Sequence, residues 1–187
     1  QDRRELMDLV ERMQGAFTTI AKSKIPTIAL AHGFCIGGAT SLVSACDIRL
    51  ATKDAKFSIG ETKLGLVADV GVIQRMPKIV SSGDMNELAL TGRIFDGEHA
   101  EKIRFVSKVY ENSDDLFEAG EKLANEISSN SKRIVQATKE ALEKSSNLTV
   151  DQGLEYAKLW STSFLISEDL REGVMAFLEK RDPKFNE

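Results

Sequence analysis

The chain has 187 residues, 42% hydrophobic and 29% charged, with a formal net charge of −4. That is enough chain for one globular domain with a real core, and the acidic balance and 6% aromatic content argue against a nucleic-acid-binding surface. No apolar run approaches the roughly 20 residues that cross a bilayer, and Cys35 and Cys46, in apolar company without a second Cys/His cluster, read as buried thiols rather than a disulfide or metal pair.

Leu6, Leu9, Val10, Met13, Phe17 and Ile20 recur at helical spacing, which predicts an amphipathic helix over about 3–22. These charged, helical first residues do not form a signal peptide, so the chain is expected to begin inside a fold. Pro26 stops the helix, and the almost wholly apolar 25–31 reads as a buried strand. A glycine-rich turn from Gly33 to Gly38 opens a helix over about 38–46. Ile48–Ala51 and Lys56–Ile59 are short strand candidates, and the strand–helix–strand order implies a right-handed parallel crossover. Beyond Gly71, helical segments are expected at Val72–Ile79 and Ser81–Thr91, the second capped by Asp84. A helical turn at Glu98–Lys102 precedes a strand over Phe105–Tyr110. The remainder reads as helices over 114–130, 132–144, 150–162 and 167–180, the last started by a capping Ser167. The expected plan is α/β: a core over 1–112 and a helical region over 113–187.

Three places carry possible chemistry. Gly37 and Gly38 open a helix directly after a buried strand, where a ligand carbonyl can approach backbone N–H groups at a positive dipole end. A tight turn needing glycine for packing alone fits the same residues, and the G-x-x-x-G-G spacing disfavours a dinucleotide fingerprint. Glu61 and Asp69 frame the apolar KLGLVA stretch, and if buried there they would hold or accept a proton near neutral pH. Spacing alone favours two solvated loop acids. Ser41 lacks an adjacent histidine motif and is not expected to be a nucleophile, and His32 is assigned to packing or backbone bonding.

Taken together, KIPTIALAHGFCIGGA, ACDIRLATKDAKFSIGE, GLVADVGVIQRMPKIV, LTGRIFDGEHA and SEDLREGVMAFLEKRDPKF resemble the enoyl-CoA hydratase/isomerase (crotonase) superfamily, in order and over most of the chain. The resemblance implies a spiral of ββα turns with a helical C-terminal trimerisation part, assembled as a homotrimer or hexamer. It implies an acyl-CoA thioester substrate, with coenzyme A part of that substrate and no separate cofactor or metal. The family stabilises the thioester enolate between two backbone N–H groups. Gly38 matches the second donor, while the first belongs to an upstream loop with no counterpart here, as though the N-terminal portion were missing.

The resemblance also separates the subfamilies. Hydratases use two glutamates, at positions matching Ser41 and Glu61, and serine cannot replace a carboxylate. Asp69 falls where Δ3,5-Δ2,4-dienoyl-CoA isomerases carry an aspartate, although a further aspartate expected at Ser41 is absent. The implied catalytic pair is therefore Glu61 and Asp69, with Phe177 and Lys180 matching residues that contact the CoA nucleotide. The implied role is double-bond isomerisation in β-oxidation of unsaturated fatty acids, in a mitochondrial or peroxisomal matrix. The ending 184–187 lacks a peroxisomal Ser-Lys-Leu signal. A Δ3-Δ2-enoyl-CoA isomerase using Glu61 alone, and a non-catalytic acyl-CoA-binding or assembly subunit, remain as alternatives.

Overall fold

Asp2 caps the first helix by accepting the Arg4 N–H at 3.2 Å, and α1 runs Arg3–Ala21. This computed structural model describes residues 2–185. The first strand, β1, is shorter than its apolar run suggests and occupies Ile28–Ala31. The glycine-rich stretch is more than a turn, because Phe34–Ile36 forms a second strand, β2, ahead of α2 at Gly38–Ala45. Then come β3 (Ile48–Thr52), β4 (Lys56–Ser58) and a 3-10 turn at Gly60–Leu64.

Val72–Arg75 forms the one-turn helix α3, extended by a 3-10 turn at Met76–Lys78 that accommodates Pro77. Helix α4 spans Ser82–Thr91, and Ser81 caps it, its hydroxyl accepting the Asp84 N–H at 3.1 Å. Asp84 is thus the third helical residue, not the cap. Its carboxylate suits the first turn by opposing the helix dipole. Phe95–Asp96 forms β5, Gly97–Lys102 α5 and Lys108–Tyr110 β6.

The strands sort into two sheets of three. In the first, ordered β1–β3–β6, all strands are parallel, with Ile28 opposite Ile48 and Leu50 opposite Lys108. In the second, ordered β2–β4–β5, β2 and β4 are parallel and β5 returns antiparallel. Each of β1–β2 and β3–β4 gives one strand to each sheet before the chain turns helical. That is a ββα repeat. In the next turn the order reverses, β5 entering the second sheet before α5 and β6 entering the first. The core of this part of the chain includes Phe57, Phe105, Ile59, Met76 and Leu88. The Phe57 ring stacks on Phe95 at 5.5 Å and meets Phe105 edge-on at 5.4 Å.

The chain divides into two compact units, one of residues 1–23 and 27–121, the other of 24–26 and 122–187. Residues 1, 186 and 187, including the end of the sequence read above for a targeting signal, lie outside the described part. Helix α6 (Ser113–Ser128) carries the chain from the first unit into the second, where α7 (Lys132–Ser145), α8 (Val150–Thr162) and α9 (Glu168–Glu179) follow. Ser131, Thr149 and Ser167 cap these three helices, and Gln152 completes a capping box with Thr149. The Trp160 indole N–H donates to the Ala137 carbonyl at 3.1 Å and so ties α8 to α7.

Because Phe57 is fully buried and joins both neighbouring rings, Phe57→Ala should destabilise the first unit by about 3–5 kcal/mol. Urea unfolding followed by circular dichroism measures this, and a loss under about 1 kcal/mol would contradict the packing described.

Candidate active site

The first unit brings one acid to a helix N-terminus. β2 leads into α2 through Gly37, whose φ of 58° lies in the left-handed region. Glycine suits that position because it carries no Cβ penalty there. The Gly37 N–H donates to the Ser58 carbonyl at 2.9 Å, extending the β2–β4 pairing by one bond. Thr40, fully buried one turn into α2, donates its hydroxyl to the Cys35 carbonyl and lies 3.0 Å from the Ser58 carbonyl. The helix start is therefore riveted to the ends of β2 and β4.

Three residues past Ser58, the 3-10 turn brings Glu61 back over this junction. A side chain at Gly37 would project to within 3.5 Å of Glu61 Oε1. Glu61 is half-buried, and its Oε2 is buried with no hydrogen-bond partner among the described residues. Such an atom is costly to leave unpaired and suits a group that receives a proton from elsewhere. Gly38, first residue of α2, has no intrahelical acceptor for its N–H, and the space where its Cβ would lie is open. The Thr62 hydroxyl donates to the Ala89 carbonyl at 2.6 Å, and the Leu66 N–H to the Glu61 carbonyl at 3.0 Å. These bonds hold the turn that carries Glu61.

Asp69 is placed differently. Its neighbours Ala68 and Val70 are buried, and Asp69 itself points out, exposed. The apolar company seen in the sequence thus anchors the loop without burying the acid. Ser41 is fully buried with its hydroxyl unpartnered among the described residues, and its N–H continues α2 to the Gly37 carbonyl at 3.0 Å. His32 is exposed and meets Phe117 edge-on at 5.7 Å, a packing contact. Cys35 is buried and Cys46 half-buried, and neither forms a disulfide; burial pushes the Cys35 thiol up. Among the described residues no cluster of three or more His, Cys, Asp or Glu could hold a metal, and no helix is long and apolar enough to cross a membrane.

Phe177 and Lys180 lie in the second unit, Phe177 82% exposed on α9 and Lys180 just past its end at a φ of 54°. Phe177 helps line an apolar groove of about 670 Å³ between α7, α8 and α9, with Ile134, Trp160, Leu170 and Val174 among its walls. The turn after Lys180 is clamped. The Glu172 carboxylate accepts from both terminal nitrogens of Arg181, at 2.6 and 3.1 Å, and from the Lys184 N–H at 2.7 Å. Those bonds, the Arg181 pair first, hold the Glu172 carboxyl down at about 2.

Thr40→Val removes a buried hydroxyl whose two carbonyl partners stay behind, and should cost about 1–3 kcal/mol in urea unfolding. Full stability in that variant would mean the rivet at the helix start is dispensable. For Glu172, a folded pKa below the unfolded value means the clamp contributes fully above about 4.5 and is lost as pH falls through about 2. The Lys184 amide shift should therefore titrate with a midpoint near 2, and a midpoint near 4.5 would show the clamp does not form in solution.

Comparison with known proteins agrees with this architecture. The chain matches the enoyl-CoA hydratase/isomerase family over residues 3–187. It is 47% identical to a mitochondrial Delta(3,5)-Delta(2,4)-dienoyl-CoA isomerase of Dictyostelium discoideum, covering 99% of this chain and 63% of that protein. It is 42% identical to a peroxisomal Delta(3,5)-Delta(2,4)-dienoyl-CoA isomerase of Arabidopsis thaliana, over 97% of this chain and 65% of that one. The chain thus spans less than two thirds of the length of these curated relatives. A solved enoyl-CoA hydratase from Bacillus anthracis superposes with a TM-score of 0.92 at 28% identity, covering 99% of this chain and 71% of its own. The two-sheet ββα repeat is accordingly a crotonase fold, and the chain belongs to the enoyl-CoA hydratase/isomerase family.

Proposed function

We propose that this chain carries the proton-transfer machinery of an isomerase that converts 3,5-dienoyl-CoA to 2,4-dienoyl-CoA thioesters. The observation that carries the proposal is the Glu61 carboxyl set beside the open N-terminus of α2, one oxygen buried and without a hydrogen-bond partner among the described residues. The names of the relatives cited above support the substrate class, and they support a place in β-oxidation of unsaturated fatty acids in a mitochondrial or peroxisomal matrix.

In this reading the thioester carbonyl sits at the Gly38 N–H, where the α2 dipole and a free donor stabilise negative charge. Glu61 takes a proton from C2, which the polarised carbonyl acidifies. The electron pair spreads through the C3–C6 diene as an extended dienolate. Asp69, exposed and held by its two buried neighbours, gives a proton to C6. The new double bonds lie at C2 and C4, one proton is lost and one gained, and no resident cofactor is needed. Glu61 must begin ionised and Asp69 protonated, and the next turnover needs a net exchange of protons with solvent.

Phe177 and Lys180 are proposed to meet the CoA nucleotide, and their exposure leaves them free to do so. Assembly into a homotrimer or hexamer is part of the same proposal. The wide apolar groove beneath Phe177 is the kind of surface that association covers.

Turnover of a 3,5-dienoyl-CoA, followed by the absorbance of the conjugated 2,4-product, tests the reading. Glu61→Gln and Asp69→Asn should each lower kcat by about 10²–10⁴-fold. Normal formation of the 2,4-product in Asp69→Asn, with loss only in Glu61→Gln, would show that the C6 proton comes from another source and remove Asp69 from the chemistry.

A further inference from the structure

We infer that Gln14 and Arg75 are positioning residues that hold Asp69 in place for delivery of its proton. The inference rests on the proton-carrying role proposed for Asp69. The loop bearing Asp69 has no regular secondary structure of its own, yet two side-chain bonds from two helices reach its backbone, and a third ties one of those side chains to the other helix. Gln14 of α1 donates its side-chain N–H to the Asp69 carbonyl at 2.6 Å. Arg75 of α3 donates to the next carbonyl, Val70, at 3.3 Å, and with its other nitrogen to the Thr18 hydroxyl at 3.1 Å. Gln14 and Thr18 are four residues apart on α1, hence on one face of it. One stripe of α1 therefore meets the loop directly through Gln14 and indirectly through Arg75.

Gly71 makes room for this arrangement. Its φ is 114°, and a Cβ there would overlap the Arg75 guanidinium, so the charged group lies across the glycine where a side chain would stand. Ala68 and Val70 bury their side chains inward. The backbone is thus gripped by the core on one side and by Gln14 and Arg75 on the other, with the Asp69 carboxyl left between as the projecting group. None of the bonds touches that carboxyl. Their effect is on where it stands, and a shift of about 1 Å in a reacting group can cost on the order of 10²-fold in rate.

The test uses Gln14→Met, which keeps the length and removes the donor, alongside Arg75→Met and Arg75→Lys. We expect kcat for 3,5-dienoyl-CoA to fall about 10- to 100-fold in Gln14→Met and Arg75→Met with KM little changed. Arg75→Lys keeps a donor but loses the fork, and should recover part of the loss. A displaced Asp69 also protonates the dienolate less selectively, so the variants should release more 2,5-dienoyl thioester, protonated at C4. Purely structural residues would not move that product ratio. Hydrogen exchange should quicken at amides 66–71 and not elsewhere. Wild-type kcat and product ratio in both Met variants would overturn the inference. If the unmodified chain does not turn the substrate over, the functional reading fails first. The exchange then decides the grip alone: faster exchange at 66–71 upholds it, and unchanged exchange overturns it.

Discussion

The carbonyl of Ser58, at the end of β4, is the point on which the site depends. It accepts the Gly37 N–H at 2.9 Å and lies 3.0 Å from the buried Thr40 hydroxyl. One oxygen thereby joins the end of a parallel strand pair to the start of a helix. It also fixes where the chain leaves β4, and Glu61 follows within three residues. A helix N-terminus and a carboxylate meet here because both descend from the same strand end. Charge that develops on a ligand at Gly38 would find a donor already in place, which is the condition for electrostatic catalysis without reorganisation.

The remaining acid is held by different means. Asp69 stands on a loop where buried and exposed residues alternate, and its backbone is tied to α1 and α3. The two carboxyls therefore have distinct supports and distinct environments, one half-buried and one exposed. The ACDIR segment supports the surrounding sheet. The Asp47 carboxylate accepts from the Thr27 N–H and hydroxyl at 2.7 and 2.9 Å, and Arg49 Nε donates to the Phe105 carbonyl at 2.7 Å. Its two charges thus mend backbone bonds at strand ends.

Much of this was legible in the residues, and the failures have physical reasons. The strand–glycine–helix run, the parallel crossover, the caps at Ser167 and the helical tail follow from periodicity and local chemistry, which a window of sequence contains. β2 and β5 were not legible. They are three and two residues long and exist through pairing with β4, a partner outside any local window. Ser81 and Asp84 both suit a cap, and only the bond direction separates them. Glu61 stood out for its type and place, but its nearness to Gly37 depends on the two parallel strands. Spacing favoured solvated loop acids, and Asp69 is exposed; its apolar neighbours Ala68 and Val70 are the residues that turn inward. Gln14 carried no signal at all, since its partner is 55 residues away.

The central claim is that a proton leaves C2 and another arrives at C6 of the same acyl chain. Running the isomerisation of a 3,5-dienoyl-CoA in D2O and locating the label in the product by NMR tests it directly. The account predicts deuterium at C6 of the 2,4-dienoyl thioester. Deuterium placed at C4 instead, or a product formed with no label at C6, would contradict delivery of a solvent-exchanged proton by Asp69.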